Sequence, residues 1–268
     1  MLCLPNELLD LVGQFLDDAS MFSLGCTAKS YQKIFCHKYR YIIRDAIFNK
    51  YFNLFRWLVP DVYCLANDRR YKLRIMAAES NCIKILKYLF GKHSITGMTI
   101  VAITPILEAA AAKGNSVDVI QWIHDHQRMG DGYSGYSISL IAAKHGNLAV
   151  LQWLKEHEYR WNRWTCTTAA ENGQLDVLKY LHEHQMSLYP MASYFAALNG
   201  HLDVVKYLHE NGCGWSGYNC YAAAKGGHLD VLQYLHENGC NWDNETRNFA
   251  INNGHLDVVK YLDENGCP

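Results

Sequence analysis

The stretch N-G-H-L-D-V-V-K-Y-L-H-E-N-G-C, Asn199–Cys213, returns almost letter for letter at Gly227–Cys240 and Asn253–Cys267, and a looser copy, N-G-Q-L-D-V-L-K-Y-L-H-E-H, starts at Asn172. Its central aromatic residue marks the repetition outward. It falls at Trp57, Tyr88, Trp122, Trp153, Tyr180, Tyr207, Tyr234 and Tyr261, with spacings of 31, 34 and 31 and then 27 four times. A fixed period in this range signals stacked supersecondary units, each too small to bury its apolar face without neighbours.

One unit, read from Trp215, is W-S-G-Y-N-C-Y-A-A-A-K-G-G-H-L-D-V-L-Q-Y-L-H-E-N-G-C-N. The Ala-rich run Tyr218–Lys225 predicts a short helix. Gly146, Gly173, Gly200, Gly227 and Gly254 share the position after it, where glycine can take a positive φ and close the last turn. Leu229, Leu232 and Leu235 lay an apolar stripe on a second helix. Asp230 suits that helix's first turn, and Asn238-Gly239 ends it. No strand pattern appears. The expected fold is all-α: an α-solenoid of about eight helix-turn-helix units covering residues 41–268.

These residues resemble the ankyrin repeat. G-H-L-D-V-V-K-Y-L-x-E-N-G-C is similar to its second helix and exit turn, and Thr104–Ala110, T-P-I-L-E-A-A, to its T-P-L-H-x-A-A opening. Two departures stand out. The late units have 27 residues against about 33 in the family, and the shortfall lies between Cys213 and Tyr218 and at its counterparts, where the family projects a β-hairpin finger. The T-P-L-H tetrad is largely lost, as in Thr246-Arg247-Asn248-Phe249. The resemblance implies a compact stack with clipped fingers.

Residues 1–40 show no repeat. Pro5 suits a helix start, Leu8, Leu11, Val12, Phe15 and Leu16 fall on one helical face, and two further apolar sets predict a three-helix segment with little core of its own. This segment resembles an F-box on Leu4, Pro5, Glu7, Leu8, Leu9, Val12, Phe15, Leu16, Leu24, Lys29 and Tyr31, with Ser20-Met21-Phe22 replacing the usual Asp-Leu and Tyr31 the usual Trp. The resemblance implies that Leu4, Pro5, Leu8, Leu9, Val12, Phe15 and Leu16 dock a Skp-family adaptor of a cullin–RING ubiquitin ligase. F-box and ankyrin-like repeats joined in this wording resemble proteins encoded by giant DNA viruses of amoebae. The alternative is that these helices only cap the solenoid, leaving a stand-alone scaffold or decoy.

Bulk properties exclude some partners. Formal net charge is −1 over 268 residues, which argues against nucleic acid and anionic membrane as general partners. The most apolar window, Ile95–Ala112, is broken by Gly97, Pro105 and Glu108, so no membrane span is expected. Ten cysteines without a signal-peptide pattern point to reduced thiols and a cytoplasmic location. The thirteen histidines fall at repeated slots, about 8–10 Å apart in stacked helices, too far for ligands that each sit ~2.0–2.3 Å from one zinc. No phosphate loop or nucleophile elbow occurs. Neither metal, cofactor nor catalysis is expected.

Within one chain, slots filled alike serve the stack and slots that differ are free to serve a partner. Ala142, Ala169, Ala196, Ala223 and Ala250 are alike, and Trp161, Trp215 and Trp242 recur with Leu188, which reads as packing. Ser137, Trp164, Met191, Tyr218 and Glu245 share one variable slot. Of these, Trp164, Met191, Tyr218 and Glu245, with Tyr189 and the flanking Arg163 and Arg247, form the expected binding strip for a target protein. Leu256, Val259 and Leu262, with no cap following, point to an exposed apolar end or self-association.

Overall fold

The computed structural model describes residues 38–59, 67–91, 100–112, 117–126 and 133–267. The F-box-like positions Leu4 to Tyr31 lie outside them. Contacts divide the chain into two compact units, Met1–Met129 and Gly130–Pro268. Every described element is helical. The first unit contains α1 (Lys38–Phe48), α2 (Phe52–Leu58), α3 (Asn67–Glu79), α4 (Ile83–Phe90), α5 (Ile100–Ala112) and α6 (Val117–His126). The second contains α7 (Tyr133–Lys144), α8 (Leu148–Glu156), α9 (Arg163–Glu171), α10 (Leu175–Glu183), α11 (Pro190–Leu198), α12 (Leu202–Glu210), α13 (Gly217–Gly226), α14 (Leu229–Glu237), α15 (Asn244–Asn252) and α16 (Leu256–Glu264). Helix α1 runs across the expected boundary at residues 40 and 41.

Odd and even helices pair into hairpins, and each odd helix packs on the next odd one within its unit. Both units are therefore stretches of α-solenoid. Small residues set the closeness of the odd helices: Ala142, Ala169, Ala196, Ala223 and Ala250 are all fully buried. The even helices bury Val204, Val205 and Leu208, or Val231, Leu232 and Leu235. The valine after Asp230, rather than Leu229, completes the buried face; Leu229 is only half-buried.

Two sets of histidines join the repeats of the second unit. His201, His228 and His255 each donate from Nε2–H to a carbonyl thirty residues earlier, Glu171, Leu198 and Lys225, all at 3.1 Å. Gln174 fills the same role toward Lys144 O at 3.4 Å. The second set bonds forward: His182 Nδ1 to the Tyr207 hydroxyl at 2.9 Å, His209 to Tyr234 and His236 to Tyr261 at 3.1 Å. The glycine before the first set is required twice over. Gly200 has φ +77°, and a Cβ there would overlap the His228 ring of the next repeat.

Candidate functional site

The first turns of α9, α11, α13 and α15 form one edge of the second unit. Each helix is entered through a residue with extended backbone: Asn162, Tyr189, Ser216 and Asp243. Local chemistry fixes these starts. The Asn162 side chain accepts from Trp164 N–H at 2.9 Å. Pro190 opens α11, where its fixed φ suits a first helical residue. The Ser216 N–H donates to Asn219 Oδ1 at 3.1 Å, and Asp243 Oδ1 accepts from Thr246 N–H at 3.0 Å.

Because all four helices start in the same register, their second residues form a row. Trp164 and Met191 are each 48% exposed and Tyr218 70%; Glu245 is also exposed. The next residue of each helix, Thr165, Ala192, Asn219 and Thr246, is buried, so the exposed row is one residue deep. Tyr189, 37% exposed, adds a ring at the entry to α11, and exposed Arg163 holds its guanidinium 5.7 Å from the Trp164 ring centre. Ser137, the α7 counterpart, is half-buried. Arg247 stands two residues beyond the row and forks onto Asp263 of α16, Nε to Oδ1 at 2.6 Å and the second nitrogen to Oδ2 at 3.2 Å. That bond holds the Asp263 carboxyl below its ordinary range.

Variation along the repeat does not by itself mark surface. In α9, α11 and α13 the two slots after the exposed row differ between repeats yet are buried, and they carry polar pairs between neighbours. Asn219 donates to Ser193 Oγ at 2.7 Å, and Ser139 and Thr165 hydroxyls lie 3.3 Å apart. Sequence reasoning missed these pairs because each partner varies separately. The recurrent tryptophans do pack: Trp215 lies 3.9 Å from His209 and Trp242 3.7 Å from His236, centre to centre, and Trp161 sits edge-on to Tyr180 at 6.1 Å. At the last helix pair, Leu256 is 77% and Ile251 45% exposed, whereas Leu262 is fully buried, contrary to expectation.

Burial pushes the Cys166 thiol up to about 12 and Cys213 to about 11, so both stay protonated and unreactive at neutral pH. Among the described residues no group of three or more His, Cys, Asp or Glu is placed to hold a metal ion. No helix among them is long and apolar enough to cross a membrane.

The helix pair, its exit glycines and the stacked histidines define a helical-repeat binding scaffold. A three-copy model of ankyrin repeats matches residues 106–192 and again 193–268, more than half of the chain, and the chain belongs to the ankyrin-repeat proteins. Such repeats mark a protein–protein interaction module. No curated protein matches the sequence.

Proposed function

We propose that this chain captures a protein target along the row Arg163, Trp164, Tyr189, Met191, Tyr218 and Glu245, and that residues 1–40 deliver it to a Skp-family adaptor of a cullin–RING ubiquitin ligase. One observation carries the first half. Four stacked helices bury the third residue of their first turns and expose the second, and three of those four exposed residues are Trp, Met and Tyr. Aromatic residues, Met and Arg are the types enriched in protein interfaces, and rigid rings anchor partners at low entropic cost. The repetition makes the contrast sharper. The same fold packs the recurrent, half-buried Trp215 and Trp242 against His–Tyr pairs, so an exposed Trp164 is not a by-product of the stack.

The second half rests on the L-P-x-E-L-L opening and the apolar clusters after it. A pull-down with purified Skp-family adaptor tests it. Wild type is expected to bind and Leu8→Asp/Phe15→Asp to fail; equal inertness of the two leaves a stand-alone scaffold. For the row, Trp164→Ala/Tyr218→Ala is expected to weaken target capture from the source cell at least tenfold with an unchanged melting temperature. Unchanged capture removes the row from the interface.

A further inference from the structure

The row is not only apolar; its ends are oppositely charged. At the α9 end, Arg160 and Arg163 are exposed, and at the α15 end Asp243 and Glu245 are. None of the four has an ion-pair partner among the described residues: the ion pairs there join Lys72 to Asp68, His124 to Asp125, Arg247 to Asp263 and Lys260 to Glu264. The nearest carboxylate in sequence to the Arg160–Arg163 end is Glu158, exposed in the turn after α8. Asp243 spends one oxygen on Thr246, and Glu245 is uncommitted. Between the ends lie Trp164, Tyr189, Met191 and Tyr218, with no charged side chain among them in the first turns of α11 and α13.

From this order we infer the chemistry of the partner, resting on the binding row proposed above: an extended polypeptide segment with acidic residues at one end, apolar or aromatic residues in the middle and basic residues at the other. The exposed row is one residue deep, which fits the width of a single extended chain better than that of a helix. Neighbouring stacked helices lie about 8–10 Å apart. Three steps from Trp164 to Glu245 therefore span roughly 27 Å, or about nine residues at ~3.1 Å each in a polyproline II conformation, whose three-residue turn returns every third side chain to one face. Anchoring side chains fall about every third residue. The acidic end lies over Arg163, whose guanidinium stands 5.7 Å from the Trp164 ring centre, and the basic end over Glu245. Complementary charge fixes direction and encounter rate, so the row accepts such a segment in one orientation only.

Panning the full-length chain against a random dodecapeptide library tests the assignment. Enriched peptides are expected to carry acid, apolar and base in that order along the row. A selected peptide is expected to lose about tenfold in affinity on Arg163→Glu and again on Glu245→Lys at low salt, and less at high salt. The double variant Arg163→Glu/Glu245→Lys is expected to select peptides with the charges exchanged. Peptides that keep the apolar spacing but show no charge order overturn the inference and leave the row a binding face. Enrichment indifferent to Trp164→Ala/Tyr218→Ala, or no enrichment at all, overturns it together with the binding row.

Discussion

The two units use one helix pair and join it differently. Val59 and His209 occupy the same slot, two residues after the marker aromatic, and so do Phe90 and His236. In three repeats of the second unit, at His182, His209 and His236, the slot holds an imidazole that bonds the next repeat's tyrosine; the unit's first hairpin has Lys155 there. In the first two hairpins of the first unit it holds an apolar residue, and in the third it holds His124. There the Tyr88 hydroxyl donates to the backbone carbonyl of Val59 at 2.7 Å, and Phe90 meets Trp122 edge-on at 5.4 Å. Charge separates them too. Lys and Arg exceed Asp and Glu by five in residues 1–129 and fall short by six in 130–268, a contrast hidden in the net −1. At the slot where every late repeat has Asp176, Asp203, Asp230 or Asp257, α4 carries Lys84. The lesson is that a strict 27-residue period permits a side-chain-specific joint, because donor and acceptor recur in register. Looser spacing falls back on apolar contact and backbone carbonyls.

The largest expected effect tests how far the register matters. Gly200 and Gly254 have nearly the same backbone, φ +77° and +76°, but only Gly200 is packed by the following repeat's histidine. Alanine at either site pays the left-handed penalty of roughly 1–2 kcal/mol. At Gly200 it must also displace His228 and break its bond to Leu198 O, which adds about 1 kcal/mol or more. Urea unfolding should therefore show Gly200→Ala losing about 3 kcal/mol and Gly254→Ala about half that. Equal losses would mean that the histidine packing contributes nothing and that the joint is not specific to register.

This pair of glycines also shows what the residues disclose on their own. A recurrent Gly after an Ala-rich run reads as a helix stop, and the period reads as a stack. The all-α fold, the eight hairpins and the buried alanines follow from that alone. The histidine behind the glycine does not, because its contact crosses from one repeat to the next, and a slot pattern does not say which slots touch. The same limit hid the Asn219–Ser193 bond and the Arg247–Asp263 fork. The exposed row was legible because its residues are unlike the rest of the stack in kind, not merely in identity.

A smaller effect is expected at the joint itself. A double-mutant cycle on His209→Ala and Tyr234→Phe should return a coupling of about 1 kcal/mol, the net value of a partly exposed hydrogen bond. Tyr88→Phe in the first unit should cost a similar amount, with the Val59 carbonyl as its partner. The comparison sharpens on His209→Val, which installs the first unit's residue. If the joint is a matter of side-chain identity, that variant loses the coupling and also the ring contact with Trp215, 3.9 Å away. No coupling in the cycle would reduce the ladder to a packing contact like that of Phe90 and Trp122.

The smallest effect belongs to the last helix pair. Asp263 stands where the earlier repeats place His182, His209 and His236, and it turns back to Arg247 of its own hairpin. The hydrogen bond from Arg247 lowers the Asp263 pKa below its usual value. A carboxyl whose folded pKa is depressed contributes stability that is present above the unfolded pKa and lost as pH falls through the folded one. The window therefore lies below about pH 4, the ordinary aspartate value. Both side chains are substantially exposed, so the pair is screened and its worth small. Asp263→Asn should leave the melting temperature near neutral pH almost unchanged in 1 M salt, lower it slightly in low salt, and converge with wild type in acid. A salt-independent loss would mean that the pair acts by packing the hairpin rather than by charge. The joint of the last repeat would then be of the first unit's apolar kind, in a slot the three preceding repeats give to histidine.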